Sequence, residues 1–406
     1  MTFLHEGIDL ALEAVWQPKR HVEPPAEGRG ELGALLVQML ARLNLCSNEA
    51  KARHYDHEVK ALTVVKPFVG VRADVPGEAS VFLVRHGSFG GYVLSEGVNP
   101  FFSDIDCHAM ARAVVDEAVR RQIAAGARSD RIALLDNFCW PDPVAAPDNP
   151  DGPHKMAELV RACRGLKEAA VAYGAPLISG KDSMKNDSRM GGVKISVPPT
   201  LLVSAIGRID DVRSAVTLDP KAAGERIYLL GTTRDETGGS EYFRLLGERF
   251  GHSAELGAPA PFVGNRVPRL DLDATVPLYA AVERVVRGGL VRAVAVPTKG
   301  GLGLALARMV MAAELGLELD LGRAPDLAVL PPDVALFSES LGRFVVSVAP
   351  EHVERFEAEL DGFACVHVGE VTADSSLHVR RGGESLLRSE LADLKRAFQS
   401  TLGGVA

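Results

Sequence analysis

A phosphate-binding pattern follows a short apolar stretch in residues 178–186, which read ISGKDSMKN. Gly180 would let the backbone approach a ligand closely, Lys181 supplies a point charge, and Ser183 offers a hydroxyl group. The stretch is not a Walker A motif, because five residues separate Gly174 from Gly180 and an aspartate follows the lysine. The pattern therefore indicates either a phosphate site or a plain turn.

A second polar pattern comes directly after a predicted buried strand, in residues 135–143, which read LDNFCWPDP. Open α/β sheets place ligands at the carboxyl ends of their strands, so Asp136 and Asn137 could contact a ribose hydroxyl, an adenine amine or a metal. The alternative is an Asx turn that caps the strand. Trp140 could stack on a base, although a buried packing role is favoured.

Three further patterns favour a structural role over a functional one. Residues 83–88 (LVRHGS) are similar to the phosphohistidine signature of histidine phosphatases, but their mid-chain position favours an exposed histidine at a strand end. Residues 54–57 (HYDH) could offer two histidines to zinc, but no further ligand follows at suitable spacing, so a polar helix face is expected. Residues 337–344 (FSESLGRF) could bind a phosphate or carboxylate through Ser340 and Arg343, with a polar turn between strands as the favoured alternative.

The composition excludes several classes of protein. Of the 406 residues, 47% are hydrophobic and 24% are charged, so the chain can build a core and is neither wholly disordered nor fibrous. The 45 lysines and arginines against 53 aspartates and glutamates give a net charge of −8, which argues against nucleic-acid binding. At roughly 100–200 residues per domain, the length predicts two to four domains.

Further features bear on location and redox state. The best candidate for a membrane span, residues 301–317, is interrupted by Arg308 and Glu314, so no membrane association is expected. Residues 1–10 carry no basic-then-apolar leader. We therefore expect a soluble, cytoplasmic protein with reduced thiols at its five scattered cysteines, Cys46, Cys107, Cys139, Cys163 and Cys365.

The elements that must position these residues are predicted from hydrophobic periodicity. Their mixture indicates α/β architecture in a first domain and α+β architecture in a second. We expect helices at 33–45, 107–126, 154–173, 276–287, 302–315 and 351–360, and strands at 81–84, 132–135, 177–178, 194–206, 226–230, 317–321 and 344–348. The expected parts are an arm with a linker helix (1–60), an α/β domain (61–209), a linker (210–224), an α+β domain (225–380) and a tail (381–406).

Taken together, the motifs resemble one enzyme family over nearly the whole chain. They occur in the order found in the C-terminal half of phosphoribosylformylglycinamidine synthase, a member of the AIR synthetase-like superfamily. The matching stretches are WQPKRHVEPP, LNLCSNEAKARHYDHEV, VNPFFSDIDCHAMARAVVDEAVRRQIAAGA, RIALLDNFCWPDP, LISGKDSMKND, LGTTRDETGGSEYF, PTKGGLGLALARM and FSESLGRF. The resemblance implies a two-domain unit whose first domain supplies strands to the central barrel of a dimer or pseudo-dimer.

The resemblance also implies an activity and residues that serve it. The family amidates formylglycinamide ribonucleotide with ATP and Mg²⁺ in purine biosynthesis. Asp136 and Gly180 match positions that contact ATP, and Ser183 matches a substrate contact. Lys181 stands where shorter family members have a magnesium-binding asparagine. Because an ammonium group only donates, we expect Lys181 to contact a phosphate of ATP instead.

A second, pseudo-symmetric nucleotide pocket is implied for long family members, where it holds magnesium. Glu78 and Glu117 match two of its acidic positions. Arg121 replaces an asparagine and Val296 replaces an aspartate, so two of four metal ligands are missing. We therefore expect a vestigial pocket in which an arginine neutralises the carboxylates.

No catalytic residue is identified in this chain. The family's catalytic histidine lies in a W-S-E-H-C-type motif of the N-terminal half, and the sequence has no such motif and no glutaminase. The resemblance therefore implies two kinds of partner: a histidine-bearing half, either an N-terminal-half chain or a second copy acting as a pseudo-dimer, and a glutaminase subunit that supplies ammonia. The alternative is a non-catalytic half that acts as a scaffold of the same complex.

Overall fold

The computed structural model describes residues 11–25, 29–55, 57–250 and 262–402. Residues 1–10, which are expected to lack a leader, lie outside the described residues, as do residues 26–28 of the expected N-terminal arm. Among the described helices, none combines the length and the apolar character needed to cross a membrane.

The described residues form strands β1–β17, most of which belong to two large sheets. Their bounds are β1 (Thr63–Val65), β2 (Phe68–Val69), β3 (Val75–Pro76), β4 (Ser80–Leu83), β5 (Gly91–Val98), β6 (Ile132–Cys139), β7 (Leu177–Ser183), β8 (Asp187–Met190), β9 (Val193–Ser196), β10 (Thr200–Ile209), β11 (Arg226–Leu230), β12 (Ala293–Ala295), β13 (Gly316–Asp320), β14 (Phe344–Val348), β15 (Cys365–Thr372), β16 (Ser376–Arg381) and β17 (Glu384–Glu390).

Helices α1–α11 connect and cover these strands in the described part of the chain. Their bounds are α1 (Leu32–Leu40), α2 (Glu49–Ala52), α3 (Cys107–Ala124), α4 (Gly152–Ala172), α5 (Glu241–Phe250), α6 (Leu272–Arg287), α7 (Gly301–Ala313), α8 (Pro325–Val329), α9 (Pro332–Phe337), α10 (Val353–Glu359) and α11 (Leu391–Ser400).

The first sheet has the order β1-β4-β5-β10-β6-β7, and β6–β7 is its one parallel pair. Strand β10 shows why one face is covered. Leu201, Val203 and Ala205 alternate with less buried residues and pack into the core that α3 and α4 cover. The opposite face carries no helix in the described residues, and Leu94 of β5 is 40% exposed there.

The second sheet, of order β12-β14-β11-β15-β13-β16-β17, has helices on both faces. Strand β14 is buried at every position, as a strand covered on both faces requires. Phe344 and Val346 point into the core shared with α3, α4 and α6, whereas Val345 points into the core built with α1, α7 and α11. The N-terminal helix α1 and the C-terminal helix α11 are therefore part of this second core.

A buried polar cluster joins the helices of the two sheets. Arg120 and Asp116 of α3 form an ion pair with a 2.9 Å separation, and both side chains are fully buried. Arg120 also donates to the carbonyl oxygens of Pro297 and Arg343, each at 3.0 Å. The hydroxyl of Tyr279 on α6 donates to Asp116. These bonds fix α3 against the second sheet.

Several predicted elements differ in extent from the observed ones. The interruption that the two prolines at 198–199 predict within the strand at 194–206 is confirmed, because β9 ends at Ser196 and β10 begins at Thr200, and proline provides no N–H for a ladder. The helix predicted at 33–45 ends at Leu40. The second sheet also continues past residue 380, the expected domain limit, because β17 pairs with β16.

Candidate functional site

The two motif stretches predicted to bind ATP lie side by side at one edge of the first sheet. Strands β6 and β7 run parallel, and their register pairs Asp136 with Gly180, Asn137 with Lys181, and Cys139 with Ser183. Parallel strands end at the same side of a sheet, so both motifs meet where ligands bind in open α/β sheets.

Gly180 leaves room for the carboxylate of Asp136. A Cβ atom at position 180 would lie 2.5 Å from Asp136 Oδ1 and 3.0 Å from its carboxyl carbon. Any larger residue at this position would have to displace the carboxylate. Glycine is therefore favoured at this position by the space that Asp136 needs. Backbone conformation does not require it, because Gly180 is not one of the glycines with a positive φ.

The side chains of the motifs divide between the two faces of the sheet edge. Successive residues of a strand point to opposite faces, so Asp136 and Gly180 share the face covered by α4. Asn137, Lys181 and Ser183 lie on the uncovered face. Lys181 is exposed, and in the described residues its ammonium group has no ion-pair partner. A ligand that contacts both sets must therefore pass around the edge strand β7.

The two loops after the strands are held together by backbone hydrogen bonds. The amide of Trp140 donates to the carbonyl of Ser183 at 2.9 Å, and the amide of Asn186 donates to the carbonyl of Trp140 at 3.0 Å. The Ser183 hydroxyl donates to Asn186 Oδ1 at 3.1 Å. The Trp140 ring is fully buried and donates through Nε1 to the carbonyl of Lys155, so packing rather than base stacking is its role.

The electrostatics at Asp136 favour pairing of its carboxyl group with a cation. Partial burial, with the nearby charge of Asp182, raises the pKa of Asp136 above its usual value. A bound Mg²⁺ would relieve this by pairing with the carboxylates. The described residues contain no group of three or more His, Cys, Asp or Glu side chains that could hold a metal alone. Mg²⁺ here would need further ligands, such as phosphate oxygens.

The residues of the expected vestigial pocket also come together. Arg121 of α3 lies 2.8 Å from Glu117 Oε1 and 3.9 Å from Glu78 Oε2. The backbone amide of Val296 donates to Glu78 Oε1 at 3.3 Å. Although burial opposes it, Arg121 and Lys299 lower the pKa of Glu117, so the carboxylate form is stabilised.

Arg308 of α7 belongs to the same cluster, and no motif in the sequence indicated it. Its Nη1 lies 3.3 Å from Glu78 Oε1, and its Nη2 donates to the carbonyl of Pro76 at 2.6 Å. The available signal was a single arginine within an otherwise apolar helix, because such a charge usually needs a buried partner.

The polar residues of the FSESLGRF stretch form an irregular segment that is buried, and it lies between helix α9 and strand β14 rather than between two strands. Glu339 accepts hydrogen bonds from the backbone amides of Glu241 and Gly300, at the N-termini of α5 and α7. Burial raises the pKa of Glu339 to about 7, although these two amides oppose the shift. Arg343 donates to the carbonyls of Ser340 and Ser338 and to Thr233 Oγ1. These donors are used within the protein, which favours a structural role.

The two histidine patterns occupy surface positions. His86 is exposed in the turn between β4 and β5, as expected for a strand end. His54 follows the end of α2 at Ala52 and lies outside any helix, so the predicted polar helix face does not extend to it.

Comparison with known families gives two adjoining matches. The model for the N-terminal domain of AIR synthase related proteins matches residues 86–209, and the model for the C-terminal domain matches residues 222–382. Together they account for well over half of the chain.

Curated relatives carry the name phosphoribosylformylglycinamidine synthase subunit PurL. The Methanocaldococcus jannaschii protein is 30% identical over 370 residues, which are 91% of this chain and 46% of that protein. The Methanothrix thermoacetophila protein is 31% identical over 408 residues, which are 97% of this chain and 48% of that protein. The chain thus spans about half the length of the curated relatives it matches.

A solved structure shows the same fold. The T. maritima PurL structure complexed with FGAR aligns with a TM-score of 0.64 and 18% identity, over 90% of this chain and 54% of that one. Both domain models, the relatives and this fold agree, and the chain belongs to the family of AIR synthase related proteins.

Proposed function

We propose that this chain is the C-terminal half of the synthetase subunit of phosphoribosylformylglycinamidine synthase. In the proposed reaction, ATP phosphorylates the amide oxygen of formylglycinamide ribonucleotide, and ammonia then displaces phosphate to give the amidine. The pairing of Asp136 with Gly180 at an accessible sheet edge carries this proposal. Support also comes from the relatives named as subunits of that synthase.

The proposed roles follow the geometry of the edge. Asp136 and Gly180 contact ATP on the face covered by α4, whereas Lys181 reaches a phosphate and Ser183 the substrate from the uncovered face. A ligand passing around β7 would meet both sets. Phosphoryl transfer demands mainly positioning and charge stabilisation, which a carboxylate, an ammonium group and a close backbone can provide.

Mg²⁺ would accompany ATP in this proposal. Its chemistry is to neutralise charge on the phosphate oxygens during transfer. In this chain Asp136, with Asp182 on the neighbouring strand, could contribute carboxylate oxygens, whereas Lys181 has no lone pair to offer. The remaining ligands would come from the nucleotide and the partner half.

A partner half would complete the site and cover the open sheet face. Leu94 of β5 is 40% exposed on that open face, Ile178 of the edge strand β7 is 61% exposed, and Met190 of the separate β8–β9 hairpin is 71% exposed. The partner would be an N-terminal-half chain or a second copy, with a glutaminase subunit supplying ammonia. The five free cysteines fit the proposed cytoplasmic location.

Reconstitution tests the proposal. The chain, mixed with an N-terminal-half polypeptide, ammonia, ATP and formylglycinamide ribonucleotide, should form the amidine. Asp136→Ala and Ser183→Ala should each remove most of this activity. Asp361→Ala, which alters an exposed aspartate of the second domain, is the matched control and should leave it unchanged. Full activity in both site variants would refute the assignment.

A scaffold role is the second candidate, favoured by Lys181 at the position of a metal-binding residue. In that case the chain would complete the complex without contacting the reacting nucleotide. Calorimetric titration of the reconstituted pair with ATP separates the two. A nucleotide stoichiometry and affinity unchanged by Asp136→Ala would favour the scaffold, whereas a loss of one bound ATP would favour the enzyme.

A further inference from the structure

A groove of about 570 Å³ lies between strands of the first sheet and helix α7, and Glu78, Arg121 and Arg308 are among its lining residues. Glu117 pairs with Arg121. Both carboxylates are nearly inaccessible, with Glu78 6% and Glu117 7% exposed. Buried carboxylates of this kind need a cation or several donors close by.

The four side chains balance in charge without any ion. Arg121 lies between Glu117 and Glu78, while Arg308 approaches Glu78 from α7. Two guanidinium groups thus face two carboxylates, and Lys299 and Glu96, which also line the groove, add one charge of each sign. A divalent cation added here would leave the cluster with an excess of two positive charges in a buried position, which costs free energy.

The donor set also does not fit a metal. Arg121 and Arg308 are donors only, and Val296 contributes a backbone amide that points at Glu78. Glu78 Oε1 therefore already faces this amide and the Arg308 guanidinium, and Glu117 Oε1 accepts from Arg121 at 2.8 Å. Glu78 Oε2 is buried without a hydrogen-bond partner, but Arg121 Nη1 lies 3.9 Å from it, and one such oxygen between two guanidinium groups does not fit the magnesium implied by the family resemblance.

We propose that the guanidinium groups of Arg121 and Arg308 replace a structural metal ion and its bound nucleotide in this groove. The cluster links the segment before β4, helix α3 and helix α7, which belong to both sheets. The chain therefore keeps this junction assembled without Mg²⁺ and without a nucleotide. This inference concerns stability and is independent of the proposed reaction.

Thermal unfolding of the full chain tests the inference. The unfolding midpoint of the wild-type protein should be the same in EDTA and in millimolar MgCl2. Because a nucleotide at the proposed ATP site would also raise the midpoint, the test with MgCl2 and ADP uses Asp136→Ala, whose midpoint should not respond. Arg121→Asn should lower the midpoint in EDTA, because Glu117 then loses its 2.8 Å partner and Glu78 keeps only the guanidinium of Arg308. Saturating Mg²⁺ should restore at least half of that loss, because the variant offers Glu117, the buried Glu78 Oε2 and an amide oxygen as ligands.

A matched control is Arg112→Asn, which makes the same change on the same helix at an arginine whose side chain is 22% exposed. Its midpoint should not respond to Mg²⁺. If Arg121→Asn does not fold, Arg308→Asn provides the second variant, whose midpoint should fall in EDTA and rise again in saturating Mg²⁺. An Asp136→Ala midpoint raised by several degrees by MgADP would overturn the inference, and so would a folded Arg121→Asn or Arg308→Asn that ignores Mg²⁺.

Discussion

Gly180→Ala would separate stability from nucleotide binding at the sheet edge. The added methyl group would lie 2.5 Å from Asp136 Oδ1 and 3.1 Å from its carbonyl oxygen, both closer than the 3.4 Å at which ordinary contact begins. The carboxylate must therefore move by about 1 Å or rotate away from its rotamer, which costs roughly 0.5–1.5 kcal/mol. Strand β7 is exposed, and alanine is favoured over glycine in a strand by roughly 0.5–1 kcal/mol. The free energy of unfolding should thus change by no more than about 1 kcal/mol.

The affinity for ATP should fall much further. A hydrogen bond to a charged group contributes roughly 1.5–3 kcal/mol, so a displaced Asp136 should weaken binding by about 10- to 100-fold. The assay is calorimetric titration of the reconstituted pair with ATP, beside chemical denaturation of the isolated chain. For Gly180→Ala, the affinity for ATP should fall while the denaturation midpoint remains close to that of the wild-type chain.

The double variant decides whether the methyl group acts through Asp136. If it does, Asp136→Ala combined with Gly180→Ala should bind ATP no worse than Asp136→Ala alone. Additive losses would refute the reasoning, because the methyl group would then disturb something other than the carboxylate. Unchanged affinity in Gly180→Ala would refute it more directly.

Two other predictions concern stability. The pKa of Glu339 is about 7 in the folded protein against 4.5 ordinarily, so its carboxyl group lowers the free energy of unfolding progressively as pH rises between these values. Glu339→Gln should remove up to about 3 kcal/mol of this decline, measured by chemical denaturation from pH 4.5 to 8. An unchanged slope against pH would contradict the assignment. Arg120→Met should cost about 3–5 kcal/mol, because it leaves Asp116 buried without its ion pair, whereas adding Asp116→Asn should recover part of that loss; no recovery would argue against the pair as the cause.

The local motifs that carry the family resemblance identified most residues of the candidate site. Asp136, Gly180 and Ser183 were identified because each lies within a short, ordered run of residues. The parallel pairing of β6 and β7 brings them to one sheet edge, as motifs that follow two strands of an α/β unit require. Their roles in binding ATP and substrate remain predictions.

Burial and distant contacts could not be read from the motifs. Arg308 lies 230 residues from Glu78 along the chain, and only the packing of α7 brings its guanidinium to that carboxylate. Glu339 lies in a stretch that looks like a polar surface turn, yet it accepts from two helix N-termini in the core. Contacts of this kind depend on the folded structure, because a local sequence pattern does not indicate which distant residues will pack against it.

The sequence alone determined the elements whose causes are local. It specified the alternating strands, the amphipathic helices, the break at the two prolines and the arginine and valine that replace metal ligands. The tertiary structure decided which face each side chain points to, and it placed Asp136 and Lys181 on opposite faces of one edge. The physical reason is the distance along the chain over which each effect acts. Hydrophobic periodicity and backbone stiffness involve residues that are near in sequence, whereas burial and charge pairing involve residues that only folding brings together.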